Sequence, residues 1–279
     1  MNLNRRLRRR SIAVVAVGAL GLAMAPAAAS ASPPTISISG ATASYPLVSL
    51  LAQKYVKLKP HTVKFKITQG GAQIGINDVA AGRVSIGDSS RGPFEAPAPP
   101  PGLRFEPIAS YGICVVTNKA NTLGNLTPSE LLSIFTGKTR SWGSVPGATA
   151  SGTIDLISRT SVAGVLTSFQ TLLLGGKKVS SLAAEESSEG LLRQAVENDP
   201  NSIGFLSNYQ AGLGKLNSVS YDGVACTKAT VASGAYAGVA RFYEVTKGPP
   251  RGAVAAFINW ITKSQAARKI ISSQWIPIS

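Results

Sequence analysis

Apolar and polar positions recur along this chain with two periods, and their alternation predicts short strands followed by helices. Thr35 to Ser39 reads as a strand, and Pro46 then sits at a helix start. Val48, Leu51, Ala52 and Tyr55 follow at i, i+3, i+4 and i+7, so one face of that helix is buried. Val63, Phe65 and Ile67 alternate with Lys64 and Lys66, the pattern of a strand with one wet face. The turn Gln69-Gly70-Gly71-Ala72 opens a short helix carrying Ile76, Val79 and Ala80, and Val84 to Gly87 makes the next strand. A proline-rich loop from Pro93 to Pro101 precedes Leu103 to Asn118, which returns to strand patterning. Thr127-Pro128-Ser129-Glu130 is a capping box with Pro at the first helical position, and Gly137 closes that helix after Phe135.

A second region repeats the alternation. Ile154 to Ser158 is a strand, and Val165 to Leu173 a helix with Val165, Ser168, Phe169 and Leu172 on one side. Ser188 to Glu197 is a further helix, Ile203 to Leu206 a strand, and Gly252 to Ile271 a helical stretch striped by Val254, Phe257, Ile258 and Ile261. Strands alternating with helices are the signature of α/β units around a parallel sheet. No repeat of fixed period is visible.

The first 31 residues stand apart. Arg5, Arg6, Arg8, Arg9 and Arg10 form a basic start, Ile12 to Met24 an apolar run, and Ala27-Ala28-Ala29 or Ala29-Ser30-Ala31 a small-x-small cleavage site. This reads as a secretory signal peptide over 1–31, since the apolar run is shorter than the ~20 residues of a bilayer span. Either general or twin-arginine export fits the paired arginines. No Cys lies near the cleavage point, so the expected product is extracytoplasmic, held in the cell envelope or secreted, and not a lipoprotein.

The whole sequence's 44% apolar and 15% charged content is that of a globular chain and excludes intrinsic disorder. The net charge of +15 loses the five leader arginines, leaving 23 basic residues against 13 acidic and a mature charge of +10. An anionic partner follows from that excess. Nucleic acid is a poor fit, because the lysines are dispersed and the 6% aromatic content suggests no stacking platform. Cys114 and Cys226 are the only cysteines, and in an exported chain they can pair or stay free. With the lone His61, read as a solvated turn residue after Pro60, they make no metal-ligand set.

Nor is catalysis assembled. There is no nucleophile with a base, no Walker loop and no dinucleotide fingerprint, and acid pairs such as Glu185-Glu186 read as solvated surface. The expectation is a protein without enzyme activity or cofactor. What recurs is a strand, a turn rich in Gly, Ser or Thr, and a helix start, which puts backbone N–H groups at the positive end of a helix dipole. The turns are Gly40 to Pro46, Gln69 to Gln73 and Ser158 to Gly164. The third carries Arg159, whose planar fork suits a tetrahedral oxyanion. Gly87-Asp88-Ser89-Ser90-Arg91 adds a second arginine and two hydroxyls at a strand end.

These segments resemble the periplasmic-type phosphate-binding proteins that deliver phosphate to ABC importers. The likeness runs through Ser39 to Leu47, Gln69-Gly70-Gly71, Ile86 to Arg91, Asn125 to Trp142, Asn201 to Phe205, Tyr243 to Gly248 and Phe257-Ile258-Asn259-Trp260. It implies an α/β, two-lobed periplasmic-binding-protein fold of type II kind, with a hinge and an interlobe cleft. One lobe would hold 32–116 and 230–279, the other 117–229, with Cys114 and Cys226 near the crossovers where a disulfide could tie the hinge.

It also implies a monomer that takes phosphate or a similar oxyanion to ABC permease subunits in the membrane. Carried over by position, the ligand contacts are Ser44, the N–H of Tyr45, Arg159 and Gly164, with Gln73, Asp88, Ser90 and Arg91 beside them. Thr160 and Ser161 stand in for hydroxyls that are absent where Ala163 and Val165 occupy the motif. The family's proton-accepting carboxylate aligns with Ser90; Asp88, two residues earlier and so on the same side of an extended chain, is its expected substitute. The rival readings are a paralogue that binds another anion and a module that adheres to anionic envelope polymer.

Overall fold

A computed structural model of the protein describes residues 32–278, so the signal-peptide reading lies outside the described residues. Strand β1 (Thr35–Gly40) feeds helix α1 (Tyr45–Leu58), β2 (Lys64–Gln69) feeds α2 (Ala72–Ala80), and β3 (Ile86–Ser89) leads into β4 (Leu103–Asn118), one strand of 16 residues. Then come β5 (Asn125–Leu126), α3 (Pro128–Phe135), β6 (Asp155–Arg159), α4 (Gly164–Leu173), β7 (Ala184–Glu186) and α5 (Glu189–Asn198). The chain continues through β8 (Ser202–Ser207), α6 (Asn208–Leu213), β9 (Leu216–Tyr221), α7 (Lys228–Ala232) and β10 (Val239–Lys247). It closes with α8 (Gly252–Lys263), α9 (Gln265–Gln274) and β11 (Ile276–Pro277).

The strands lie in the order β2-β1-β3-β10-β4-β8-β6-β7. Parallel pairing joins β1 to β2 and β3, and β6 to β7 and β8, as strand–helix–strand crossovers require. The long strand β4 joins the two halves by changing partners. Its residues from Leu103 to Gly112 run antiparallel to β10, and from Ile113 onward it pairs with β8 and β9. This is a two-lobed α/β fold. Helices α1, α2, α8 and α9 pack in the first half, and α3, α4, α5 and α6 in the second.

Local sequence explains most elements. Leu47, Val48, Leu51, Ala52 and Tyr55 of α1 are buried, and the Tyr55 ring packs edge-on against Phe65, Phe257 and Trp260. Thr127 caps α3 with both hydrogen bonds of the capping box present. Phe135, Phe169 and Phe205 form the aromatic centre of the second half. Cys114, buried on β4, is disulfide-bonded to Cys226, with Cα atoms 5.5 Å apart. Cross-linking residues 112 positions apart restricts the unfolded chain by about 4–5 kcal/mol on the chain-entropy model.

Some expectations shift. β3 starts at Ile86 rather than Val84, and β6 at Asp155 rather than Ile154. On α4, Leu172 is exposed and Leu173 buried, because the inward stripe runs through Leu166, Phe169 and Leu173, one residue further round. The terminal stretch is two helices, since extended Ser264 breaks it and its hydroxyl accepts the Ala266 N–H to cap α9. Strand β10, which no sequence pattern announced, lies between β3 and β4 in the middle of the sheet. Among the described residues no helix is long and apolar enough to cross a membrane.

Candidate anion-binding site

Four strands end on one another's doorstep. The loops after β1, β2, β3 and β6 meet at the strands' carboxyl ends, the place where open α/β sheets hold ligands. They meet at a narrow crevice lined by Ala41, Thr42, Ala43, Gly71, Ala72, Ser90, Arg159, Ala163, Gly164 and Val165, closed too tightly as it stands to admit a water molecule. Its walls are small residues, so backbone can come close to a guest. Gly40 has φ +148°, and a Cβ there would stand 1.9 Å from the Asp88 carbonyl oxygen. Gly71, at φ +114°, supports the second loop, and its N–H and that of Gly70 both donate to the Gly40 carbonyl. Helices α2 and α4 begin at this crevice and direct the positive ends of their dipoles at it.

Arg159 supplies the charge. The last residue of β6, it is 1% exposed, and its guanidinium is held by its own neighbours. Nε donates to the Glu186 carbonyl at 2.9 Å, and Nη2 donates to the Ser187 carbonyl at 2.9 Å and to Thr42 Oγ1 at 3.1 Å. Nη1, equally buried, has no hydrogen-bond partner among the described residues. Burial pulls the guanidinium below its ordinary value while Glu189, followed by Glu186, pushes it back up. Glu189 is buried as well. Burial raises its pKa, opposed by the Ser207 hydroxyl, by Arg159 and by the Ser207 N–H, which donates to it at 2.7 Å.

The two sides of the crevice touch. Besides Arg159 and Thr42, Gln73 N–H donates to the Val162 carbonyl at 3.0 Å, and Ser168 Oγ of α4 donates to Glu95 Oε2 at 2.7 Å. The structure is therefore in a closed arrangement.

A sequence profile described as a PBP superfamily domain matches residues 25–265. The chain belongs to the PBP superfamily. Among the relatives of this PBP superfamily chain, the phosphate-binding protein PstS of Bacillus subtilis (strain 168) is 27% identical over 251 residues, covering 88% of this chain and 81% of that one. A Clostridium perfringens protein assigned as a phosphate ABC transporter substrate-binding protein, solved with bound phosphate, superposes with a TM-score of 0.80 at 26% identity, over 88% of this chain and 100% of that one. An ABC-type phosphate transport receptor from Vibrio cholerae shares the fold at a TM-score of 0.71 and 24% identity, over 87% and 100% of the two chains.

Of the residues expected in this PBP superfamily site, the structure brings Ser90, Arg159 and Gly164 to the crevice. The others go elsewhere. Ser44 is fully buried, but its hydroxyl donates to Asp88 Oδ2 at 2.6 Å and lies off the crevice wall. Asp88 points with it into the layer beneath α1, so it does not replace the missing acceptor. The chain leaves β3 at Ser89, and the two-residue alternation that would have aligned Asp88 with Ser90 ends there.

Arg91 is buried too, yet its Nη1 donates to the Glu95 carbonyl and its Nη2 to Gln73 Oε1, each at 2.6 Å. Gln73, which also donates to Asn77 Oδ1 at 2.9 Å, is thereby engaged away from the crevice lining. Tyr45 is half-buried and lines no part of the crevice, and Thr160 is half-buried with Ser161 exposed beyond the rim. Two contributors escaped sequence reasoning. Thr42 stands inside the Gly40 to Pro46 turn, so its hydroxyl was available to find; Glu189, a single acid in the first turn of α5, carried no local signal.

Proposed function

We propose that this chain captures phosphate or a closely related oxyanion in the crevice and hands it, outside the cytoplasm, to the permease of an ABC importer. The observation that carries this reading is Arg159, a buried guanidinium locked in place by two carbonyls and Thr42 with Nη1 unspent. A tetrahedral oxyanion supplies the acceptor that Nη1 lacks, with Ser90 and Thr42 offering hydroxyls and α2 and α4 offering helix starts. The phosphate-binding relatives support the choice of ion. We further propose that two lobes close to 32–116 with 230–279 and 117–229 open and close; β4 exchanges one set of partners for the other at Gly112 and Ile113, four residues before that boundary, so 113–116 go with the second lobe.

Among the described residues the crevice has no carboxylate on its wall, so phosphate and sulfate are told apart here by hydroxyls alone, and sulfate is expected to compete. Calorimetric titration with phosphate, sulfate and small organic anions near pH 7 tests the reading. Phosphate is expected to bind with sub-millimolar affinity and little salt dependence. Heat with another anion and none with phosphate would replace the ligand; retention on anionic envelope polymer that survives Arg159→Ala and collapses with salt would replace the function.

A further inference from the structure

Beneath the anion loops, on the face of the sheet that packs against α1, two carboxyls are sealed in together. Asp88 on β3 and Glu244 on β10 are directly opposite in the antiparallel register, which sends both side chains to the same face. They are 2% and 0% exposed. Three of their four oxygens, Asp88 Oδ1 and both Glu244 oxygens, are buried without a partner among the described residues, and the fourth accepts from Ser44.

Among the described residues the surrounding elements bring no compensating cation. From α1 comes Ser44, a neutral donor. From β1 comes Gly40, the register partner of Asp88, with no side chain to offer. From β4 comes Glu106, opposite Glu244 and exposed at the surface, where Arg104 and Lys263 share its outer pocket. Helix α2 covers the other face, and its Asp78 is engaged with Ser39 and Arg83. Two ionised carboxylates opposite each other in an apolar layer are untenable, and the arrangement is relieved when one of them takes up a proton.

We propose that Asp88 and Glu244 form a proton site that is linked to anion capture, resting on the crevice reading above. The link runs through short covalent paths. The Asp88 carbonyl accepts the Ala41 N–H at 3.0 Å, Ser90 follows two residues later, and both Ala41 and Ser90 line the crevice. While Asp88 is ionised it holds the Ser44 proton and adds negative charge below the loops. When the pair takes up a proton that charge is reduced, so an oxyanion above it is favoured. Burial, against the Ser44 hydrogen bond, pushes Asp88 up to about 7, and burial with the Asp88 charge raises Glu244 further from its ordinary value. An anion raises the pair again, so capture takes up protons and affinity falls as pH rises above about 7.

Two measurements test this on the mature chain. Infrared spectra of the anion-free protein at pH 7 should show the carbonyl stretch of a protonated, buried carboxyl, altered in both Glu244→Gln and Asp88→Asn; no such band in a folded wild type overturns the proton site. Calorimetry with inorganic phosphate in buffers of different ionisation enthalpy then counts protons at pH 7 to 8. Phosphate's own proton contributes equally to wild type and Glu244→Gln, so the proposal expects a larger uptake in wild type and a steeper loss of affinity, by up to about tenfold per pH unit. Equal counts in the two proteins overturn the linkage. Absence of phosphate binding with the band intact sinks the crevice reading and leaves the proton site standing.

Discussion

Arg159→Lys is expected to weaken phosphate capture by about 10- to 100-fold while leaving the melting temperature close to that of the wild type. Lysine keeps the charge but offers a single rotating ammonium where the fork holds two carbonyls and Thr42 with one edge and presents Nη1 with the other. The lost charge-assisted contact is worth roughly 1.5–3 kcal/mol, which sets the fold-change. Arg159→Ala should lose more, and should also destabilise, because Glu189 would be left buried without its nearby cation. Titration calorimetry read beside thermal denaturation separates the two effects. Wild-type affinity in Arg159→Lys would mean that the fork serves the fold alone.

The second large effect is steric. A Cβ on Gly164 would stand 2.7 Å from Ser90 Oγ, 2.8 Å from Ala72 Cβ and 2.9 Å from Arg91 N, all three on the opposite wall. These contacts belong to backbone and short side chains that have nowhere to retreat. All three contacts cross the crevice, so Gly164→Ala should act on closure more than on stability. Overpacking of this kind costs about 1–3 kcal/mol, which lowers the closed population and therefore the phosphate affinity by roughly 10- to 100-fold. Small-angle scattering should show a more open particle in the presence of phosphate. Unchanged affinity and a compact particle would show that the crevice wall gives way easily.

How much of this could be read from the chain depends on where each signal resides. The glycine-rich turns after β1 and β2 were legible because a strand end, a positive-φ glycine and a helix start leave a local mark, and the crevice formed there. Arg159 was legible as a charge at the end of an apolar strand. Strand β10 was not, because Arg241, Tyr243, Glu244 and Lys247 look like surface, and only pairing with β3 and β4 on both sides buries Glu244. The same long-range pairing hid the true partner of Asp88. Ser44 was expected to contact the ligand, but its hydroxyl donates to Asp88, 44 residues away on β3, a contact no window of local sequence contains. Ser264 had a similar ambiguity, since a serine within an apolar stripe serves equally as a helix residue and as a cap.

The central claim is that an oxyanion occupies the crevice against Arg159, and crystals of the mature protein grown with phosphate test it most directly. Tetrahedral density within hydrogen-bonding reach of Arg159 Nη1, Thr42 Oγ1 and Ser90 Oγ is the result this account predicts. Phosphate bound at another place in the molecule, with Nη1 turned to a protein acceptor, would contradict it.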